Sequence, residues 1–336
     1  MVALDTGTHI VMGLGLGGLA MLDPSIANDP ATSQAVLAAT LVGSQAPDFD
    51  TILKLKNNAV YIRNHRGITH SLPALVIWPL LLFGIISLFV PEADNGKLLL
   101  WTAIAVFLHV FVDIFNAYGT QALYPLSKKW IALGVISIFD PIIFFLHIAG
   151  LLLWYVGVDP GYTFLTVYVI LVIYYVIRII ARQRVNSIVL NKIPEAEEIY
   201  ASPTIRWGQY HLAIKSKHEF FVAGLKNGKV TVWDTFDRLP VPKSKLIDAA
   251  KRDKNISAFL SFSPVHRWEV EKNDHGHMVQ FIDLRYRSKG HYPFVAMVQL
   301  DENLNIITSY TGWVYSEDRL KKKMDFSPMD LINNNE

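Results

Sequence analysis

Long apolar runs dominate about the first 185 residues of this chain, and short alternating segments follow them. Two runs of about 15 and 13 residues, Thr8–Leu22 and Gln34–Ala46, come first and are short for a membrane span. Four later runs reach the roughly 20 residues that a span needs. They are Ile68–Val90, Leu98–Tyr118, Gly134–Val156 and Tyr162–Ala181. The pattern predicts an α-helical multi-pass membrane domain of four long spans plus a short N-terminal helical hairpin.

The pattern changes after Arg184. Residues Asn186–Thr204 are polar and predict a linker helix, and beyond them several segments alternate apolar and polar residues as half-buried strands do. Asn227-Gly228 is typical of a two-residue hairpin turn. The predicted strands are Glu219–Leu225, Lys229–Phe236, Ser257–Phe262, Met278–Arg287 and Pro293–Leu300. We therefore predict a membrane domain over 1–185, a linker over 186–205 and a small antiparallel β domain over 206–336.

Basic residues set the expected orientation, because cytoplasmic loops carry an excess of Lys and Arg. Nine of the ten basic residues before position 186 lie in loop 54–66, in loop 119–133 or near the end of the last span, and only Lys97 falls elsewhere. Four spans place those three regions on one side of the membrane. The expected location is a cell membrane, with the β domain in the cytoplasm.

That topology gathers ionisable residues of the apolar half at one membrane face. Such residues are costly in or beside a span, so they are functional candidates by default. The eight candidates are His9, Asp48, Asp50, His65, His70, His109, Asp113 and Asp140. His and Asp are also common ligands of hydrolytic metal sites. The set predicts a divalent metal site at the cytoplasmic face, with Zn, Mn and Fe equally acceptable.

Spacing supports some of these candidates more than others. His109 and Asp113 are four residues apart and share a helix face, which suits either a shared cation or a helix–helix hydrogen bond. Asp48 and Asp50 follow a proline and suit either a metal site or helix capping. Asp140 precedes a proline inside an apolar run, so it is a second-tier ligand or a helix cap.

The segment from Asn64 to Ser71 has the highest density of polar chemistry. A turn at Gly67 could bring His65 and His70 to one point, although five residues separate them. Arg66 offers a planar fork that suits phosphate or carboxylate. The alternative is that Arg66 meets lipid phosphates and the two histidines cap a helix.

Together these motifs resemble the membrane-bound metal-dependent hydrolase family, the LexA-regulated inner-membrane hydrolase group of bacteria. The resemblance covers about residues 1–185, and the soluble tail makes the chain most similar to YfhP-like members. The motifs are Asp5-Thr6-Gly7-Thr8-His9, Pro47-Asp48-Phe49-Asp50, His65-Arg66-Gly67-Ile68-Thr69-His70-Ser71, His109-x-x-x-Asp113 and Asp140-Pro141. The resemblance implies a multi-pass membrane protein with a divalent metal site.

The leading hypothesis is a membrane-embedded, metal-dependent hydrolase whose metal ligands are His9, His65, His70, His109 and Asp113, with Asp140 as a further ligand. Asp48 and Asp50 are ligands, bridging groups or the general base, and Arg66 holds an anionic substrate group. The site's depth suggests an amphiphilic ester or phosphoester, with membrane lipid as a partner. The alternatives are an ion-coupled permease, and a scaffold or regulatory protein whose β tail binds a protein partner.

Composition narrows the field further. The net charge of +2 gives no reason to expect nucleic acid as a partner. The chain has no cysteine, which excludes disulfides, thiolate metal sites and cysteine nucleophiles.

Overall fold

A helical part and a β-rich part follow each other along the chain. The computed structural model describes residues 2–315, and side chains from residue 6 onward. The helices of the first part are α1 (Val2–Ala20), α2 (Pro24–Ala27), α3 (Pro30–Gly43), α4 (Asn58–Asn64), α5 (Ala74–Phe89), α6 (Asn95–Asp113), α7 (Pro141–Tyr155) and α8 (Pro160–Lys192). Two 3-10 segments, Ala46–Leu55 and Ile68–His70, interrupt the sequence of α-helices.

The candidate membrane spans are fewer than the sequence predicts. Among the described residues α6 and α8 are long and apolar enough to span, and a third span would require Asn58–His70 and α5 to count as one segment bent by 79°. The prediction of four long spans is therefore not confirmed. Within the predicted span Gly134–Val156, the helix α7 begins only at Pro141, because Asp140 caps it there. The helix that remains has 15 residues.

Apolar side chains on the outside of the helices point to a lipid environment. Leu88 and Phe89 on α5 and Tyr155 on α7 are each more than 80% exposed, and α8 carries further exposed aliphatic side chains. Contiguous exposed apolar surface of this kind is rare on soluble proteins. The two shorter runs form α1 and α3, which pack together as the predicted helical hairpin.

The β-rich part consists of two four-stranded antiparallel sheets, each with its strands in sequence order. The first sheet contains β1 (Ala196–Pro203), β2 (Tyr210–Ser216), β3 (Glu219–Lys226) and β4 (Lys229–Asp237). The second contains β5 (His266–Asn273), β6 (Gly276–Asp283), β7 (Phe294–Leu300) and β8 (Ile306–Trp313). Asn227 and Gly228 adopt φ of 51° and 73° and close the predicted hairpin between β3 and β4.

Two further predictions for this part are wrong. Ser257–Phe262 is not a strand but the end of α10 (Lys254–Phe262), which follows α9 (Lys245–Arg252). Asp253 caps α10, and Ile256 and Phe259, three residues apart, face the core of the second sheet. The predicted linker helix over 186–204 is wrong beyond Lys192, because α8 ends there and residues 196–203 pair with β2.

Both sheets are attached to the helical part. The end of α8 packs onto the first sheet through Val185 and Val189. Helix α4 packs against α10 and β8, where the Asn58 side chain donates a hydrogen bond to the Thr311 carbonyl at 2.6 Å. The second sheet therefore lies beside the segment that carries His65 and Arg66.

Candidate metal centre

Four side chains from three segments converge on one buried point. Helix α6 supplies His109 and Asp113, the turn before α5 supplies His70, and the 3-10 segment after α3 supplies Asp48. One ligand atom from each lies within 4.8 Å of the others. His70 and His109 are fully buried, and Asp113 is 3% exposed. This cluster is called the four-donor cluster below.

The distances within the cluster match the edges of a metal coordination shell. His109 Nε2 lies 3.2 Å from His70 Nε2, 3.8 Å from Asp48 Oδ1 and 3.7 Å from Asp113 Oδ2. His70 Nε2 lies 3.6 Å from Asp48 Oδ1 and 3.4 Å from Asp113 Oδ2. A tetrahedral site with ligand distances of roughly 2.0–2.2 Å has edges of roughly 3.3–3.6 Å. The donors are therefore spaced for one divalent cation.

Hydrogen bonds outside the cluster fix which histidine nitrogens carry protons. His109 Nδ1 donates to the Ser44 carbonyl at 2.6 Å, because a carbonyl can only accept. Thr69 Oγ1 donates to Asp50 Oδ2 at 2.7 Å and so accepts from His70 Nδ1 at 3.1 Å. In neutral rings both Nε2 atoms then present lone pairs toward each other. Such outer hydrogen bonds are typical of metal-binding histidines.

The carboxylates of the cluster add to this concentration of lone pairs. Within the described chain, buried Asp48 Oδ1 and Asp113 Oδ2 accept no hydrogen bond of good geometry. Arg66 Nε, 3.3 Å from Asp113 Oδ2, supplies one positive charge nearby. Buried acceptors without donors are costly, and a cation at their centre would satisfy them. The residues present thus fit a divalent metal ion.

His9 lies against the cluster without belonging to the four donors. Its ring stacks on His109 with centroids 3.9 Å apart, and its Nε2 is 3.6 Å from Asp113 Oδ1. It comes from α1, so the N-terminal hairpin forms one wall of the site. In this position His9 holds the rings and the carboxylate of α6 in place.

Asp50 and His65 form a second group, which shares Asp48 with the first. His65 Nδ1 is 2.8 Å from Asp50 Oδ1, and the same carboxylate accepts from the Arg66 amide and from Thr69. Burial opposes ionisation of Asp50, but the hydrogen bonds from His65 and Thr69 and the nearby His65 and His70 rings together outweigh it and keep the carboxyl pKa below its ordinary value. Asp50 therefore organises the turn as an ionised acceptor.

Arg66 adopts a strained backbone at this turn. Its φ is 59°, in the left-handed region that non-glycine residues seldom occupy, at a cost of roughly 1–3 kcal/mol. The Arg66 amide bonds Asp50 and its carbonyl accepts from the Gln121 amide at 2.9 Å. These contacts hold the buried guanidinium beside Asp113. The strained backbone of Arg66 therefore occurs where the position of its positive charge is fixed.

Asp140 lies outside both groups. Its Oδ1 caps α7 through the Ile142 amide, and its Oδ2 accepts from the Tyr174 hydroxyl at 2.8 Å. Both carboxylate oxygens thus accept hydrogen bonds, and the prediction that Asp140 caps a helix is confirmed. Of the nine predicted site residues, the structure gathers all but Asp140 around the two groups.

A cavity of about 280 Å³ opens beside His65 and Arg66. Its walls come from the helical part and from the β-rich part, where Phe262 of α10 and Phe294 and Trp313 of the second sheet line it. Sequence reasoning missed these aromatic residues, which carry no motif and come close to the site only through tertiary packing. It also missed Ser44, which acts through its backbone carbonyl and so leaves no side-chain signal.

Three known protein-family descriptions match consecutive parts of this chain. Residues 4–185 match the YdjM inner membrane protein family, residues 194–236 match the YfhP middle domain, and residues 245–324 match the YfhP C-terminal alpha/beta plait domain. The uncharacterized protein YfhP of Bacillus subtilis (strain 168) is 56% identical over 322 residues, which cover 96% of this chain and 98% of that protein. No solved structure gives a significant match.

These matches confirm part of the resemblance. The inner-membrane family and the YfhP-like character are confirmed, and together with the apolar helices they support a bacterial membrane location. The hydrolase activity, the regulation by LexA and the cytoplasmic placement of the β-rich part stay predictions.

Proposed function

The chain belongs to the YdjM inner membrane protein family, and on that premise we propose that it is a metal-dependent hydrolase embedded in the membrane, with its site at the cytoplasmic face. The observation that carries the proposal is the convergence of two histidine Nε2 atoms and two carboxylate oxygens within 4.8 Å. His with carboxylate suits Zn, Mn or Fe. Asp48, His70, His109 and Asp113 would hold the metal.

When bound, the divalent cation supplies a Lewis acid and an activated water. Asp50 orients His65 through Nδ1, which leaves Nε2 of the neutral ring to take a proton. In the hydrolytic step the water oxygen bonds to the ester centre and the bond to the leaving alkoxide breaks. His65 accepts the proton of the water and returns it to the alkoxide. This assignment makes His65 the base and Asp50 its partner.

Arg66 binds the anionic part of the substrate. Its Nε lies 3.3 Å from Asp113 Oδ2 and Arg66 is among the residues that line the cavity, so Arg66 connects the four-donor cluster with the space where a substrate would lie. A planar guanidinium matches a phosphate or carboxylate group. The substrate is therefore an amphiphilic ester or phosphoester that reaches the site from the membrane surface.

A hydrolysis assay tests this function. Detergent-purified protein is loaded with Zn²⁺, Mn²⁺ or Fe²⁺ and offered p-nitrophenyl butyrate, p-nitrophenyl phosphate and bis-p-nitrophenyl phosphate. We expect turnover of at least one ester, and a fall of about 100-fold in His70→Ala. His147→Ala is the matched control, since His147 is equally buried but lies outside the cluster, where its Nδ1 contacts the Ile143 carbonyl of its own helix.

A second variant separates proton transfer from metal binding. His65→Gln is expected to retain the metal and the KM while kcat falls by about 100-fold, the usual contribution of a general base. Activity that is equal in all variants, or no turnover of any ester in any metal form, would contradict the proposed function.

One observation favours a second candidate, an ion-coupled permease. Helices α4 and α5 form a segment bent by 79° with His70 at its break, and broken helices often line transport sites. Uptake of a solute or a metal ion by proteoliposomes, lost in His70→Ala, would support the permease over the hydrolase.

A further inference from the structure

The cavity beside His65 and Arg66 has aromatic walls contributed by both parts of the chain. Phe262, Phe294 and Trp313 come from the β-rich part, while Tyr118 and Trp130 come from the loop after α6. Trp130 meets Phe262 edge to face with centroids 5.2 Å apart. Aromatic side chains in such offset and edge contacts bind planar rings well.

The fully charged side chains that line the cavity are basic. Lys54 and Arg66 line it, and its lining includes no carboxylate among the residues that the structure describes. Burial raises the pKa of the Tyr118 hydroxyl, so the wall around it stays neutral. Two cations beside neutral rings favour an anion that also carries an apolar group.

The second sheet is held firmly enough to serve as a wall. Tyr118 stacks on Tyr286 with ring centroids 5.2 Å apart, and Ile62 of α4 packs against the core between α10 and the second sheet. The hydrogen bond from Asn58 to Thr311 adds a polar contact at the same junction. The cavity is thus formed by the docking of the two parts rather than by either part alone.

The size of the cavity limits its occupant. At about 280 Å³ it lies near the lower bound of small-molecule pockets, roughly 300 Å³. That space suits one or two fused rings and leaves no room for a pair of long acyl chains. Arg66 stands at the end nearest Asp113, which sets the anionic group toward the four-donor cluster.

We propose that this cavity binds an aryl anion, namely the ring-bearing end of a phosphate or phosphonate ester, and that the second sheet is the specificity wall of the site. This inference rests on the proposed function for its hydrolytic outcome, and it names the substrate class. It also gives the β-rich part a role within the site itself.

Binding of a non-hydrolysable probe tests the proposal independently of catalysis. Full-length protein in detergent is titrated calorimetrically with 1-naphthyl phosphonate, decyl phosphonate and neutral 1-naphthol. We expect the naphthyl anion to bind about tenfold more tightly than either comparison compound, because each of those lacks the ring or the charge. Equal affinity for the linear and aromatic anions would overturn the proposal.

Variants locate the binding. Trp313→Leu and Lys54→Gln are each expected to weaken naphthyl phosphonate binding by about tenfold. Trp268→Leu is the matched control, because Trp268 lies on β5 of the same sheet and outside the cavity lining. Lys54 is exposed, so Lys54→Gln keeps the test valid if Trp313→Leu unfolds. Unchanged affinity in Lys54→Gln and in folded Trp313→Leu would contradict the assignment.

The two proposals can fail separately. Tight naphthyl phosphonate binding without turnover of any ester would support the aryl-anion cavity and reject the hydrolase. Turnover whose KM is the same for aryl and alkyl esters, and unaffected by Trp313→Leu, would reject the cavity assignment and keep the hydrolase.

Discussion

Replacement of Thr69 by valine should weaken metal binding although Thr69 is not one of the four donors. Its hydroxyl bridges Asp50 Oδ2 at 2.7 Å and His70 Nδ1 at 3.1 Å. Thr69→Val keeps the volume of the side chain but removes both hydrogen bonds. His70 then loses the contact that fixes its proton on Nδ1 and its lone pair on Nε2.

The expected loss follows from the role of such outer hydrogen bonds. Removing the partner of a metal-binding histidine typically lowers metal affinity by about 10–100-fold, or about 1.4–2.7 kcal/mol. The assay is a competition titration of Zn²⁺ between purified protein and a fluorescent chelator. Thr69→Ser restores the hydroxyl and should restore most of the affinity.

A buried threonine elsewhere provides the control. Thr102 is fully buried in α6, and its hydroxyl donates a hydrogen bond to the Leu98 carbonyl one turn earlier. Thr102→Val should therefore leave Zn²⁺ affinity within about twofold of the wild type. If Thr69→Val binds Zn²⁺ as tightly as Thr102→Val, the hydrogen-bond argument for the histidine tautomers is wrong.

Three further predictions concern the surroundings of the site. Asp140→Ala should destabilise the protein by about 1 kcal/mol in thermal unfolding, because Asp140 caps α7. The variant should retain its metal, and loss of the metal would refute the assignment of Asp140 as a cap. Gly312→Ala should loosen the contact between α4 and β8, since the added Cβ would lie 2.2 Å from Asn58 Nδ2. Naphthyl phosphonate binding should weaken as a result, and unchanged affinity would count against a cavity formed by this contact. In the cysteine-free chain, an impermeant maleimide should label Glu92→Cys in intact cells but Lys229→Cys only after permeabilisation, and the reverse would invert the topology.

Much of the candidate site follows from local spacing and from a topology argument. His109 and Asp113 share a helix face by their spacing, and the distribution of basic residues places His65 and His70 at the same depth. The structure brings these residues together, with Asp48 as the fourth donor. The separation of donors from supporting residues such as His9 was not predictable, because it depends on ångström-scale packing.

The errors have physical causes as well. The apolar content of 134–156 predicts a span, but a proline and a capping aspartate start the helix seven residues late. The alternation in Ser257–Phe262 resembles a strand, yet the cap at Asp253 and the burial of Ile256 and Phe259 favour a helix. The aromatic cavity forms where distant segments meet, as in the contact of Asn58 with Thr311, 253 positions apart in sequence, and no local pattern encodes such a contact.

Asp48, His70, His109 and Asp113 are proposed to hold a divalent metal ion. Elemental analysis of detergent-purified protein tests this proposal most directly, with wild type compared with His70→Ala/Asp113→Ala and with His147→Ala. We expect near-stoichiometric Zn, Mn or Fe in wild type and in His147→Ala, and its loss from the double variant. Absence of metal from wild type after loading with divalent ions, or equal metal in all three proteins, would contradict it.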